Sequence, residues 1–386
     1  MAQPLTALVH GAGPTGALAA LALADAGWQV RVRDPLSGEQ LRQRSRAYAF
    51  NHSSQRLLAA LGLWERLEPH MAPFRQLELR DLGAGAAVPF ALTDLGPTRA
   101  RRPRAALGWI GQHGPLMAVL LEALAHHPAI QLELGCPAQP PGIPVGLEVA
   151  ADGCESGVRA AARLGVWRRP YRQSCLTVQV ELRGSAADQA WELFRPEGPF
   201  AVLPLGGRRF QLVWSAPASR CRQLEALDDG AFLDALAAAL PEQLQVDRLL
   251  DTPRAFPVEL LLAPRLQRCG RGRRLVLVGE TAHRCHPVGG QGLNLCWRDV
   301  AELHRQARRV ATGALPLPRL PAAYGRRRWP DLLLTLAATD LLVKLFSNRA
   351  VPLLPLRQLA LALLARAGLL RRLSLAAMTD GLVLPW

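Results

Sequence analysis

Residues Leu275–Asp299 read LVLVGETAHRCHPVGGQGLNLCWRD, and this stretch decides the fold. It opens on Leu275, Val276, Leu277 and Val278, followed by a glycine. A short apolar run bounded in this way is a buried strand. The stretch closes in a helical pattern that starts near Gly292 and carries Asp299. Between the two lie Glu280, His283, His286, Pro287 and the glycines 289, 290 and 292. In an α/β fold, a strand that stops at a carboxylate and a Gly-rich turn, then starts a helix, brings backbone N–H groups to a phosphate or a planar ring.

Working outward, the chain begins with a second such unit. Leu5 to His10 is an apolar strand that meets Gly11-Ala12-Gly13-Pro14-Thr15-Gly16, a G-x-G-x-x-G. An Ala/Leu-rich helix over Ala17–Ala26 follows, with Gly27 as its C-cap. The strand Trp28–Arg33 then ends at Asp34, 23 positions after the first glycine. In a βαβ unit of this form the glycines serve the tight turn, the approach to a pyrophosphate and the helix–strand contact. The carboxylate reads a ribose hydroxyl. A bare G-x-G-x-x-G also occurs as a glycine turn in unrelated α/β proteins; the strand, the helix and Asp34 together predict a dinucleotide site.

Between these units the pattern changes. Ser53 or Ser54 is placed to cap a helix with Leu57, Leu58 and Leu61 inward. Arg46, directly after the ribose-reading strand, is a candidate phosphate or ribityl contact. Phe74 to Phe90 alternates as β structure, Arg99 to Arg104 is a basic loop, and Leu116 to Ala125 is a helix. Ile130–Leu134 and Leu147–Ala150 are strands, separated by a Pro/Gly-rich stretch over Cys136–Gly146. Ser174–Leu182, Ala190–Phe194, Phe200–Leu205 and Phe210–Trp214 have period-2 patterning, as an antiparallel sheet requires. Asp228–Leu240 is an amphipathic helix, and Arg254–Leu262 returns as a strand. The prediction is a discontinuous Rossmann-like cofactor domain over residues 1–73, 100–168 and 265–330. A mostly antiparallel β-sheet substrate domain over 74–99 and 169–264 is inserted in it, and 331–386 is a C-terminal helical region.

Composition bounds the function. The 386 residues are 49% hydrophobic and 5% aromatic, an ordinary globular balance that excludes disorder. The net charge is +15, and Lys344 is the single lysine among 46 basic residues. No aromatic-interleaved basic repeat, zinc knuckle or RNP-like strand points to nucleic acid, so the arginines read as solvated surface. The seven cysteines are scattered and contain no C-x-x-C, which fits a reducing compartment and no disulfide framework. The N-terminal apolar run has no basic segment before it and reads as a first strand, not a signal peptide. No stretch of 18 uncharged apolar residues predicts a transmembrane helix. The expectation is a cytoplasmic protein, with the inner face of a membrane as its candidate surface.

Three motifs therefore stand in order: the glycine fingerprint with Asp34, the segment ADGCESGVR at Ala151–Arg159, and GETAHRCHPVGGQGLN at Gly279–Asn294. Together they resemble the class A flavoprotein monooxygenases of the para-hydroxybenzoate hydroxylase-like fold, and within these the ubiquinone-biosynthesis hydroxylases. RSRAYAFNHSSQRLLAALGLW, WELFRPEGPFAVLPL and YGRRR add to the likeness, which spans most of the chain. The resemblance implies FAD. Gly11, Gly13, Pro14, Thr15 and Gly16 would face its pyrophosphate, Asp34 the adenosine ribose, and Arg46 the phosphate–ribityl region. Asp152 would lie in the segment closing over the cofactor. Glu280 would stand at the ribityl chain, where the family has an aspartate. Pro287, Gly289, Gly290, Gln291, Gly292, Leu293 and Asn294 would line the isoalloxazine and present N–H groups to it. His113-Gly114-Pro115 stands where the family usually has an arginine contacting FAD.

The implied reaction is the cofactor's: NAD(P)H reduces FAD, O2 adds to give a flavin C4a-hydroperoxide, and oxygen passes to an electron-rich ring carbon. No catalytic side chain and no metal are required. His283, Cys285 and His286 have metal-ligand chemistry, but within this glycine frame structural roles are expected of them. The expected substrate is an aromatic, lipophilic quinone precursor. The alternatives are a flavin-dependent isoprenoid reductase or epoxidase, or a non-catalytic binding protein on the same fold. From Ala301 onward, 13 basic residues face four acidic ones among leucine-rich helices. These helices either pack on the cofactor domain or form a basic, apolar membrane-facing surface.

Overall fold

The computed structural model describes residues 4–95, 104–136, 145–270 and 272–381. One sheet has six strands in the order Gln267–Gly270, Arg273–Leu277, Leu147–Ala150, Thr6–His10, Gln29–Asp34 and Ile130–Leu134. All its pairings are parallel except the hairpin of the first two strands. A parallel sheet needs cover for both faces, and its strands are correspondingly apolar: Leu147–Ala150 and Leu275–Leu277 are wholly buried. The helices Pro14–Asp25, His113–His126 and Gln291–Ala311 share one core with it. The chain runs outward from Thr6–His10 on one side and resumes on the other side with Leu147–Ala150. This reversal leaves a crevice beyond the carboxyl ends of the two strands, where α/β sheets bind their ligands.

The second sheet follows the order His283–Arg284, Arg254–Leu262, Trp167–Arg183, Arg209–Pro217, Phe200–Pro204, Gln189–Phe194, Gln76–Asp81 and Ala86–Ala91. Gln245–Leu249 pairs with Trp167–Arg183. Its pairings are antiparallel except between Gln189–Phe194 and Gln76–Asp81. A separate core, including Trp191, Phe210, Trp214 and Phe232, brings in the helices Ala218–Glu225 and Asp229–Ala237. A small third sheet joins Ala47–Phe50, Gly108–Gln112 and Met71–Phe74. The architecture is the α/β fold expected from the sequence.

Some local expectations are corrected. The helix His52–Ala60 is capped by Asn51, whose side chain accepts from the Ser54 N–H; Ser53 and Ser54 lie inside its first turn. An asparagine with extended φ/ψ satisfies the same free amide that a serine would. The helix after the glycine fingerprint begins at Pro14, a favoured first position. Most of the basic loop over Arg99–Arg104 and of the Pro/Gly stretch over Cys136–Gly146 lies outside the described residues. The C-terminal region forms the helices Leu320–Phe346, Leu354–Arg366 and Gly368–Asp380. No single helix among the described residues is long and apolar enough to cross a membrane; the last two, with the turn Val351–Leu353, bend against each other by 97°.

Candidate active site

The three motifs meet at the carboxyl ends of the central strands. Gly11 adopts φ +98°, and a Cβ there would stand 2.4 Å from the Ala151 carbonyl oxygen. A Cβ on Gly16 would stand 1.9 Å from the Gly11 carbonyl oxygen, and one on Gly279 (φ +67°) 2.8 Å from Thr15 Cγ2. Only glycine lets these turns close on one another. Gly13 differs: nothing lies within 4 Å of a Cβ placed on it. It precedes the helix Pro14–Asp25, whose free N–H groups and dipole favour an anion.

The carboxylates hold the loops in place. Asp34 accepts from the Ala12 N–H at 2.7 Å and the Leu36 N–H at 2.8 Å, and borders the same cavity as Gly11 and Gly13. Asp152 accepts from Ser156 Oγ at 2.5 Å and from the Val158 N–H at 3.2 Å. Arg159 reaches from this segment to the Thr281 carbonyl at 2.7 Å and the Cys154 carbonyl at 2.8 Å, while Thr281 Oγ1 accepts from the Gly153 N–H. The second motif is thereby bonded to the third. Burial lowers the pKa of the Arg159 guanidinium, with Asp152 acting against that shift. Glu280 lines the cavity with its side chain half exposed, 3.8 Å from Arg284.

Beyond Glu280 the third motif is anchored from behind by Asp299. Its Oδ2 accepts from the Gly279 N–H at 2.8 Å and His283 Nε2 at 2.7 Å, and its Oδ1 from Arg328 Nε at 2.6 Å. Burial alone would raise the Asp299 pKa; His283, Arg328 and these hydrogen bonds outweigh it and bring the pKa to about 2. His286 is fully buried, with Nδ1 accepting from the Val288 N–H, so Nε2 carries the proton toward Gln173 Oε1. Burial pulls its pKa down to about 4 and keeps it neutral. Both histidines of H-x-C-H are thus committed to protein partners. Among the described residues Cys154, Glu155 and Glu259 bring single ligand atoms together, but Arg168 and Arg284 already pair with those carboxylates.

Gly289 (φ +66°) and Gly290 (φ +62°) then turn the chain into the helix Gln291–Ala311. A Cβ on Gly290 would stand 2.8 Å from Ala49 Cβ. Asn294 ties this helix start to the Ala47–Phe50 strand and the Asn51 cap. It donates to the Ala49 and Gly290 carbonyls and accepts from the Asn51 N–H and Ser54 Oγ.

A cavity of about 620 Å³ joins these elements. Of the residues singled out in the sequence, Gly11, Gly13, Pro14, Thr15, Asp34, Arg46, Asp152, Glu280, Pro287 and Gly289–Asn294 line it. Gly16 does not; it lies beneath Gly11 at the helix–strand contact. Arg46 extends over the Phe256 ring at 4.6 Å. The far wall is the second sheet, with Leu77, Leu79, Ala190, Ala201, Leu203 and Val213 facing in.

The sequence reading passed over several residues of the site. Tyr48 lines it and donates to His113 Nδ1, because His113 Nε2 is committed to the Leu41 carbonyl. Leu375 and Met378 close it from the last helix, where Asn51 and Gln291 both donate to the Met378 carbonyl. Glu192 stands on the apolar wall and accepts from the Gly289 N–H at 3.3 Å. Its signal was present in WELF: in an alternating strand, Ala190, Glu192 and Phe194 share one face.

A crevice at the carboxyl ends of a parallel sheet, opening onto a large antiparallel sheet, is the setting for the class that comparisons with known proteins identify. The chain belongs to the FAD binding domain family, which matches residues 5–101 and 147–330. The ubiquinone hydroxylase UbiL of Rhodospirillum rubrum is 35% identical over 382 residues, covering 95% of this chain and 87% of its own. The 3-demethoxyubiquinol 3-hydroxylase of Escherichia coli is 31% identical over 402 residues, covering 97% and 98%. In fold, HpxO of Klebsiella pneumoniae, solved with FAD and uric acid, superposes with a TM-score of 0.74 at 19% identity, covering 98% of this chain and 96% of its own. The protein is an FAD-dependent monooxygenase. Its residues fit that cofactor: Gly13 leaves open space before a helix N-terminus, Asp34 faces the same cavity, and ligand pockets of roughly 300–1,000 Å³ include this volume.

Proposed function

We propose that the protein hydroxylates the ring of a lipophilic phenolic quinone precursor, using NAD(P)H and O2 at the bound FAD. The observation that carries this reading is the continuity of the cavity. It runs from the glycine fingerprint, along the apolar wall of the second sheet, to Leu375, Met378 and Thr379 of the Gly368–Asp380 helix. The opposite side of that helix exposes Leu369, Leu370 and Leu373. A ring with an isoprenoid tail has an apolar path along this helix. The two ubiquinone-pathway relatives support the substrate class.

In this reading Gly11, Gly13, Pro14, Thr15 and Asp34 hold the adenosine diphosphate part, with Gly16 setting the helix close behind them. Arg46, Asp152 and Glu280 hold the ribityl region. Pro287 and Gly289–Asn294 form the platform for the ring system. The flavin supplies the redox chemistry when bound, and the protein positions the substrate ring and excludes water. The segments 1–73, 100–168 and 265–330 form the cofactor unit, 74–99 and 169–264 the substrate unit, and 331–386 the helical cover. That cover also rests on the inner membrane face as a peripheral contact.

The test is direct. Purified protein carries FAD, seen in its visible spectrum. With NAD(P)H and 4-hexylphenol as probe it consumes O2 and forms a product heavier by one oxygen atom. Protein that neither carries nor binds FAD refutes the reading, and NAD(P)H oxidation with a reduced product and no O2 uptake transfers it to the reductases.

A further inference from the structure

We propose that Glu192 is the proton acceptor for the hydroxyl group of the ring substrate; this rests on the hydroxylase reading above and assigns a residue within it. Glu192 lies on the strand Gln189–Phe194, opposite Ala201 on one neighbouring strand and Leu79 on the other. In the same register Leu77 stands opposite Ala190, Val213 opposite Ala201, and Thr177 opposite Val213. All of these line the cavity. Thr177 donates to the Arg254 carbonyl, and Glu192 is the one carboxylate that the described strands of this sheet present to the cavity, with His283 and Arg284 at the sheet edge its other ionisable groups.

One carboxylate oxygen accepts from the Gly289 N–H, on the turn that follows Pro287. Among the described residues the other oxygen has no hydrogen-bond partner. Glu192 therefore bridges the substrate wall and the flavin platform and leaves one oxygen free toward the cavity. A carboxylate kept in apolar surroundings without a cation costs stability, and such groups concentrate where chemistry uses them.

Among the other charged groups lining the cavity, Arg284 lies within 4 Å of Glu259 and Glu280, Glu155 pairs with Arg168, and His283 is held by Asp299, while Arg44 also lines it. Glu78 and Arg80, on the adjoining strand, pair with each other and do not line the cavity. On the C-terminal helices Asp340 pairs with Arg169 and Lys344, Asp380 with Arg56 and Arg104, and Arg371 with Asp94. Arg46, across the cavity, lies over Phe256. Burial pushes the Cys175 thiol up to about 12 and holds His286 near 4, so both are neutral at pH 7. Burial likewise raises the Glu192 carboxyl to about 7, with the Gly289 N–H acting against it. A base with that pKa is half ionised at neutral pH, where a general base is most useful.

The step is a proton transfer. The phenol O–H bond breaks as an O–H bond forms on Glu192, and the electron pair stays on the ring oxygen. The resulting phenolate is richer in electrons at its ortho and para carbons, the positions an electrophilic oxygen attacks. The proton returns to the ring oxygen when the product is released.

Calorimetric titration of the FAD-loaded protein tests this without turnover, using 4-hexylphenol and, as a control lacking the proton, 4-hexylanisole. From about pH 8.5 to about pH 5.5 wild-type affinity for the phenol should fall about tenfold, as loss of a charge-assisted hydrogen bond predicts. Affinity for the anisole should not fall. Glu192→Gln, which can still accept from Gly289, should retain FAD and bind the phenol weakly and independently of pH. Its product formation should lose the rise near pH 7. Equal pH profiles for phenol and anisole in the wild type overturn the proposal, as does an unchanged phenol profile in E192Q. A wild type that shows the binding profile but hydroxylates nothing refutes the proposed reaction while leaving the hydroxyl contact to Glu192 standing.

Discussion

Gly13 and Gly16 occupy adjacent turns of one helix start, yet a side chain would meet different surroundings at each. At Gly16 an added Cβ would overlap the Gly11 carbonyl and press on Ala151 Cβ at 3.3 Å. The backbone there joins two strands and a helix, so nothing flexible can give way. Gly16→Val should cost about 3 kcal/mol or more, as overpacking in a close-packed core does. At Gly13 the backbone has ordinary φ and ψ, and the added Cβ would point into open space. Gly13→Val should therefore fold normally and fill the room a pyrophosphate needs. The expected outcome is a split: Gly13→Val keeps the Tm of the FAD-free wild type but does not bind FAD, whereas Gly16→Val loses both. Thermal denaturation followed by tryptophan fluorescence, with flavin absorbance on the same samples, checks it. If Gly13→Val retained stoichiometric FAD, the pyrophosphate would not pass this glycine.

Among the elements, those with a single strong period could be read from the sequence. Ile130–Leu134, Leu147–Ala150 and Arg254–Leu262 have the predicted bounds, because each is a short apolar or alternating run between clear breaks. What could not be read depends on partners far away in sequence. The strand Gln76–Asp81 joins Gln189–Phe194 in parallel, a pairing that no local pattern announces. The helix Leu320–Phe346 runs through Pro330, which lies on the exposed face, where the carbonyl it leaves free is open to solvent. The glycine motifs were legible because backbone geometry demands them; the role of Asp299 was not, since its partners converge only after folding. Asp299 links the strand end at Gly279 to the helix carrying Arg328, and Asp331 on that helix accepts from both Arg328 and Arg298. Asp299→Asn leaves Arg328 and His283 without their shared anion and should cost about 3–5 kcal/mol. The sign of the pH effect follows from a depressed pKa. The stabilisation is complete above the usual aspartate pKa and is lost as pH falls through about 2. Acid should therefore destabilise the wild type more than the variant, and the two urea midpoints should converge at low pH. A constant difference down to about pH 2 would show that the Asp299 charge contributes nothing.

At the scale of the molecule, charge and apolar exposure coincide at one end of the chain. Eleven of the fourteen exposed large apolar side chains among the described residues lie between Leu333 and Leu373. The chain from Ala301 onward also carries 13 basic against four acidic residues. Neither property alone selects a partner: exposed leucines suit a protein interface, and scattered arginines suit water. Together they fit an anionic lipid surface, which attracts the cations and accepts the leucines. The Gly368–Asp380 helix would give such a contact a purpose, since its inner side closes the cavity at Leu375 and Met378. The protein should float with vesicles of phosphatidylglycerol and phosphatidylcholine and stay behind with phosphatidylcholine alone, and high salt should weaken the association. The double variant Leu369→Ser, Leu373→Ser should reduce partitioning at least tenfold, because each buried leucine contributes about 1.5–3 kcal/mol. Both side chains are more than half exposed, at 70% and 58%, so folding and FAD content should not change. Sedimentation of the wild type as a dimer that the same double variant dissolves, without any flotation, would assign this face to a second copy of the chain and not to lipid.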